Sequence, residues 1–342
     1  MTPLQHRCPC GAIDVHTHIV PAAFPRYLGS RVGARWPAMA EAQPCHRHVM
    51  LDGQVFRTVS HQAWDPAVRV ADLQRLNLGH QVLSPMPELL SYWLDGADGA
   101  TMCRYLNDQI GAMVAHAPQS FTGLGAVPLQ DVDLAIRELD HAMHHIGLAG
   151  VEVGSNVDGV PIGDARFLPF FEAAQSMGAA VFVHALRPTG MDRLVGPPML
   201  EHTLAYPTEI GLAAASMITG GTLARCPHLR IAFSHGAGTL GAMLPRLQHA
   251  WTVFPALQAL LEHSPTELAR TMFVDDLVYG GQAIRHLIDV FGASQVMLGS
   301  DYPFAIQDPD PLGRVQALAL DPDVHGALTR GNALRWLDGA GA

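Results

Sequence analysis

The chain has 342 residues, 49% of them hydrophobic and only 15% charged, with a formal net charge of −10 at pH 7. That length suits one α/β barrel with a large core, and an acidic chain without basic runs offers no counterion-release footprint for nucleic acid. No apolar stretch reaches the roughly 20 residues of a membrane span and the N-terminus lacks a secretory pattern; the expectation is a cytoplasmic protein with neither nucleic-acid nor membrane partners.

Two counts narrow the chemistry. Five cysteines, Cys8, Cys10, Cys45, Cys103 and Cys226, form an odd and sparse set, which argues against a disulfide scaffold. Cys8-Pro9-Cys10 has no second pair at zinc-ribbon spacing. All 21 basic residues are arginine, so lysine Schiff bases, a Walker-type lysine and a carbamylated lysine bridging two metals are excluded. Nineteen histidines supply the commonest metal ligand instead.

Short apolar runs alternate with helical patterns along the chain, as in βα units on a parallel sheet. In order, the expected strands are Ala12–Val15, Gln81–Leu83, Thr122–Ala126, Gly150–Val153, Ala180–Val183, Arg230–Phe233, Met272–Val274 and Val296–Leu298. Eight strands close a (β/α)8 TIM barrel, here read as a single domain over 1–342. The first connection, about residues 20–63, is too long for an ordinary loop. Within it Val49-Met50-Leu51 and Val55-Phe56-Arg57 flank Asp52-Gly53-Gln54, the signature of a hairpin. A small β-insertion over the barrel mouth follows, either a lid or a structural flap. The next helix opens at Asp65-Pro66, carries Val68, Leu73 and Leu76, and is expected to end at Gly79. Another starts near Asp131 and carries Leu134, Leu139 and Met143 before Gly147.

Polar residues gather where these strands end. Ile13-Asp14-Val15-His16-Thr17-His18 closes the first, and side-chain alternation sends His16 and His18 to one face, within reach of one cation. A lone His-x-His arises by chance among so many histidines. Here, however, His184 ends the fifth strand, His235 follows the sixth and Asp301 follows the eighth. Barrel enzymes put their catalytic groups at those ends; the bland alternative, five strand-end residues meeting solvent, needs five coincidences.

This order of residues resembles the amidohydrolase superfamily. Further stretches match collinearly over almost the whole chain: Asp52-Gly53-Gln54-Val55-Phe56-Arg57, Trp64-Asp65-Pro66, Gln81-Val82-Leu83-Ser84, Ser91-Tyr92-Trp93, Pro207-Thr208-Glu209 and Gly299-Ser300-Asp301-Tyr302-Pro303-Phe304. By these the chain is similar to the aminocarboxymuconate-semialdehyde decarboxylase-like family of amidohydrolase-related decarboxylases.

The resemblance implies one divalent metal per subunit on His16, His18, His184 and Asp301, Zn²⁺ first and Mn²⁺ or Co²⁺ as alternatives. It further implies His235, together with Asp301, as the catalytic groups. Arg57 and Arg246 would clamp substrate carboxylates, a task suited to the planar guanidinium fork. Arg246 would reach in from a neighbouring subunit, making the protein a homodimer, and Trp93 would line the pocket; without the resemblance, both arginines read as solvated surface residues. The implied reaction is non-oxidative decarboxylation of a small unsaturated or aromatic acid, most closely aminocarboxymuconate semialdehyde, through metal-activated water with His235 as acid/base. The chain departs from the family at His184-Ala185-Leu186-Arg187, at Gly196-Pro197-Pro198-Met199-Leu200 and at Gly236-Ala237-Gly238. Two other readings stay open: a metal-dependent hydrolase or hydratase of a small carboxylated lactone or unsaturated acid, and a non-catalytic binding protein on the same barrel.

Overall fold

The computed structural model describes residues 11–339 apart from 32 and 198, so Cys8-Pro9-Cys10 lies outside the described residues. Eight parallel strands form one sheet: β1 Ala12–Ile19, β2 Leu78–Pro85, β3 Phe121–Ala126, β4 Gly150–Gly154, β5 Ala180–His184, β6 Arg230–Phe233, β7 Phe273–Asp275 and β8 Val296–Met297. Every expected strand is present, in sequence order around the sheet. The barrel is closed where β1 meets the chain leaving β8. Val15 N donates to Leu298 O at 2.9 Å, Asp301 N to His16 O at 2.9 Å and His18 N to Tyr302 O at 2.8 Å. This is a (β/α)8 barrel.

The interior is packed, as it must be when eight strands enclose only side-chain volume. Ile13, Val15, Val82, Leu124, Phe182, Ala232, Phe273 and Met297 form one buried cluster, and Trp336 from the C-terminal helix Asn332–Asp338 completes it. Trp336 is fully buried and its indole N–H donates to Arg230 O at 3.1 Å. Ile13 and Val15 belong to this cluster, yet His16 and His18 both line the space above it. Strict alternation would not allow that. The register of β1 against β2 slips between Asp14 and Thr17, and the irregularity switches which face the following residues present.

The long first connection contains a three-stranded antiparallel sheet, Ala38–Glu41, His46–Leu51 and Gln54–Ser60. Its hairpin turns at Asp52-Gly53, whose φ values of 51° and 71° are the paired positive angles that an Asp-Gly turn supplies. The following helix Pro66–Arg75 starts as expected, with the Asp65 carboxylate accepting from Ala67 N and Val68 N. Its end is earlier than Gly79. The helix stops at Arg75, Asn77 takes the left-handed turn (φ 54°), and Gly79 is already inside β2. Asparagine tolerates that conformation almost as glycine does. The helix Val132–His141 begins at the Asp131 cap, and the turn after it ends at Gly147 with φ 88°.

Truncating Trp336 to alanine empties the bottom of the barrel and is expected to cost about 3–5 kcal/mol. Denaturant unfolding measures it; a loss below about 1 kcal/mol would show that the C-terminal helix does not seal the barrel interior.

Candidate metal centre

His16, His18, His184 and Asp301 offer four ligand atoms that all lie within 4.8 Å of one another, all four residues being buried. His16 Nε2 is 3.1 Å from His18 Nε2, and Asp301 Oδ1 lies 3.1 Å from His18 Nε2 and 3.6 Å from His16 Nε2. The ring of His184 stands 5.0 Å from that of His18 and 5.1 Å from that of His16. Asp301 is turned inward by a left-handed backbone (φ 65°), a strained conformation held by the Asp301 N to His16 O bond.

The other ring nitrogen of each histidine is already committed. His16 Nδ1 donates to Asp275 Oδ2 at 2.6 Å, His18 Nδ1 to Pro85 O at 3.1 Å and His184 Nδ1 to Ala185 O at 2.9 Å. A neutral imidazole with its proton on Nδ1 has a bare lone pair on Nε2. Three such lone pairs and a carboxylate therefore point into one small space, and His184 Nε2 is buried with no hydrogen-bond partner at all. His16 Nε2 and His18 Nε2, 3.1 Å apart, repel as bare lone pairs unless a proton or a metal cation lies between them. The donor set of three nitrogens and one oxygen suits a single divalent transition metal, and the acceptors behind each ring are the supports that metal-binding histidines use.

Electrostatics agree. Burial, and then the charges of His18 and His16, hold His184 well below the usual imidazole range. Against the upward push of burial, the hydrogen bond from His18 and the charge of His16 hold Asp301 down at about 2. Asp275 is lowered in the same manner: against the upward push of burial, the hydrogen bond and charge of His16, the charge of His235 and the Gly236 N–H together hold it down. Asp275 also accepts from Gly236 N at 2.9 Å and Leu277 N at 3.1 Å, so it links β7 to the loop after β6.

His235 stands beside this group, its ring 5.4 Å from His16 and 5.1 Å from His184. Burial, reinforced by the charge of His16, pushes it down to about 4, so it is a neutral base. It opens an unusual turn in which His235, Gly236, Ala237 and Gly238 all have positive φ, between 53° and 62°. At Gly238 any Cβ would overlap the Pro207 carbonyl, so glycine is required. Ala237 tolerates its φ of 56° with a methyl group where glycine would be unstrained.

A cavity of about 350 Å³ opens above these residues, with His184, His235, Asp301, Arg57, Phe304 and Glu88 in its wall. Arg57 comes from the insertion strand Gln54–Ser60. Its guanidinium lies 4.4 Å over the Phe304 ring, which itself stacks on His18 at 4.9 Å and 19°. The insertion thus contributes a residue to the cavity. Arg246 does not reach the cavity of its own chain: it is exposed on the helix Leu240–Val253. Trp93 packs instead between Arg35 and Arg187, 5.1 and 4.3 Å from their guanidinium carbons, with its indole N–H on Arg35 O. Tyr92 is buried in the core, its hydroxyl accepting from Gly154 N at 3.1 Å.

The departing segment after β5 has a firm backbone. Leu186 O accepts from Asn156 Nδ2 at 2.7 Å and Leu186 N donates to Ser155 Oγ at 3.0 Å. Both supporting side chains donate to Glu209 Oε1, at 2.8 and 3.1 Å. Sequence reasoning missed Asp275 and Glu152. The strand-end signal that found the others was present at Asp275, immediately after Phe273-Val274. Glu152 is fully buried in β4, 3.9 Å from His18 Nδ1, and burial raises it to about 8 against the pull of His18.

Comparison with known proteins places this geometry. Residues 13–339 match the amidohydrolase family model. The chain is 34% identical to 2-amino-3-carboxymuconate-6-semialdehyde decarboxylase of Dictyostelium discoideum, over 95% of this chain and 91% of that one. Among solved structures, 5-carboxyvanillate decarboxylase from Sphingomonas paucimobilis superposes with a TM-score of 0.74 at 26% identity, over 81% and 84% of the two chains. The dihydroxybenzoic acid decarboxylase of Polaromonas sp. JS666, solved with manganese and 2-nitroresorcinol, shares the fold with a TM-score of 0.72 at 21% identity, over 82% and 89%.

Replacing Asp275 with alanine removes the acceptor that orients His16 and is expected to weaken divalent-metal affinity about 10- to 100-fold. Chelator competition measures this directly, and unchanged affinity would show that Asp275 does not support the ligand.

Proposed function

This chain belongs to the amidohydrolase family and is a carboxy-lyase of its decarboxylase branch, and on that premise we propose that it removes CO₂ non-oxidatively from aminocarboxymuconate semialdehyde or a close analogue. The observation that carries the reading is the convergence of His16, His18, His184 and Asp301 at the floor of a cavity that holds both a cationic side chain, Arg57, and a neutral imidazole, His235. We assign the four convergent residues as ligands of one divalent metal, Zn²⁺ in first place. Such an ion supplies Lewis acidity and fixed positive charge at the reacting end of the substrate.

The protein's own groups divide the remaining work. Arg57 binds a carboxylate by charge-assisted hydrogen bonds, and the Phe304 ring beneath it limits where the guanidinium can go. A substrate anchored there brings its scissile C–C bond over the metal centre. Loss of CO₂ leaves an electron pair on the ring or chain carbon, which a proton must meet. His235, neutral at rest and in contact with the ligand rings, is placed to take a proton early in the cycle and return it to that carbon. Asp301, held ionised, steers and balances that proton's charge. In a homodimer Arg246 of the partner subunit would supply the second carboxylate clamp, in keeping with the exposure of this helix position on the single chain.

The test is CO₂ release from aminocarboxymuconate semialdehyde by metal-loaded protein. His235→Ala is expected to keep stoichiometric metal while kcat falls about 10²- to 10⁴-fold, and Asp301→Ala to lose the metal. Undiminished turnover in His235→Ala would remove the assigned acid/base. No CO₂ from this acid, with release from hydroxybenzoates, would replace the substrate.

A further inference from the structure

The cavity wall carries acidic as well as basic groups. Glu88 stands in the turn Pro87–Leu90 that follows β2, and its carboxylate is part of the wall. The Tyr206 hydroxyl donates to Glu88 Oε1 at 3.2 Å, while Glu88 Oε2 is buried with no hydrogen-bond partner. Thr239 Oγ1, from the same wall, is likewise buried and without a partner. Tyr206 ties this group to the metal centre: its ring meets His184 edge-on at 6.4 Å and His202 edge-on at 5.0 Å.

A carboxylate oxygen shielded from bulk water and left without a donor is unfavourable, and a ligand that brings the missing donor is favoured over one that does not. Arg57, His184, Tyr206 and Glu88 line one cavity of about 350 Å³, room for a small ring-sized acid. An acid whose carboxylate meets Arg57 and the metal centre therefore turns another part of its skeleton towards Glu88. A hydroxyl or amino group there completes the hydrogen bonding of Oε2. A second carboxylate there faces like charge in a confined cavity, which is a penalty and not a contact.

We propose that Glu88, oriented by Tyr206, is a specificity-determining residue that receives a hydroxyl or amino substituent of the substrate and excludes acids carrying a second carboxylate at that place. The assignment rests on the reading of this cavity as the substrate site, and deepens it by naming the substituent.

The experiment is calorimetric binding of four small acids to Zn²⁺-loaded protein: benzoate, 3-hydroxybenzoate, 3-aminobenzoate and isophthalate. Wild type is expected to bind the hydroxy and amino acids roughly tenfold or more tighter than benzoate, the size of one hydrogen bond to a charged acceptor, with isophthalate weakest. Glu88→Leu should erase this ranking. Glu88→Gln, which preserves the shape and an acceptor for Tyr206, should specifically relieve the penalty on isophthalate. The proposal is overturned if isophthalate binds wild type as tightly as 3-hydroxybenzoate, if the ranking survives in Glu88→Leu, or if none of the four binds. CO₂ release from aminocarboxymuconate semialdehyde is followed separately. A ranked binding series without CO₂ from that acid leaves Glu88 in its role and removes that substrate from this site; CO₂ release with a flat series does the reverse.

Discussion

Everything in this molecule depends on holding three bare imidazole nitrogens and a carboxylate oxygen in one buried space. Each Nδ1 lies on an acceptor, Asp275, Pro85 O or Ala185 O, so each Nε2 is turned into the shared space, where His18 Nε2 faces Asp301 Oδ1 at 3.1 Å. That arrangement is repulsive in itself and would relax by rotating the rings if the scaffold allowed. The scaffold does not. His16 and His18 are fully buried on a strand whose register slip aims both of them at the same point. Asp301 is bound through its own backbone to His16 O, across the seam that closes the barrel. Fold and site thus share hydrogen bonds, and opposite ends of the chain meet in one ligand set. A divalent cation held by these four residues would draw them together, and its binding would then reinforce barrel closure.

Much of this was legible in the sequence because buried parallel strands are nearly continuous apolar runs, and their ends are marked by the first polar residue. Ala180-Val181-Phe182-Val183-His184 is such a run, and the structure places its histidine in the ligand set. The same rule shortened β1. The polar residues of the site read as the strand's end, whereas the strand continues to Ile19 because those side chains face a cavity and not solvent. Gly79 misled for a different reason. Asn77 took the left-handed role that the glycine advertised, and the glycine went into β2, where Gly11 packs against it. Asp275 carried the strand-end signal, but Asp275-Asp276 offers two acids in succession, and only the three-dimensional strand says which one meets His16. Arg57 and Arg246 were named only through resemblance, since nothing local separates a cavity arginine from a solvated one; the structure brings Arg57 to the cavity and leaves Arg246 exposed on its helix.

The departures from the family pattern now divide into backbone and wall. After His184, the path of Ala185-Leu186 is fixed by Ser155, Asn156 and Glu209, so the metal ligand keeps its support whatever side chains follow. Ala185 and Leu186 are themselves buried in the core, and only Arg187 of this segment is exposed. The turn His235–Gly238 shows the opposite restriction: Gly238 is compelled by the Pro207 carbonyl, but Ala237 is accommodated at modest strain. The candidate ligands are anchored independently of the side chains of these segments, His18 and His184 by backbone carbonyls, His16 by Asp275.

The insertion is joined to the metal centre by two arginines acting in different ways. Arg57 reaches down from the insertion sheet onto Phe304, and Phe304 lies on His18, so a guanidinium, a phenyl ring and a ligand form one stack. Arg69 works from below. Fully buried, it donates to His18 O at 2.8 Å and to Gln62 O at 3.2 Å, and its guanidinium carbon lies 4.8 Å over the Tyr302 ring. It thereby ties the end of the insertion, the ligand strand and the segment carrying Asp301 to a single side chain. Burying a cation is costly, and burial lowers the pKa of Arg69 to about 10. An ammonium group in that position could not serve both carbonyls and a ring face at once; the planar guanidinium can. In a chain without lysine this is where the choice of arginine matters most. The insertion and the strand that carries His18 are held together by the same chemistry, so displacement of the insertion would be felt at His18 from both sides.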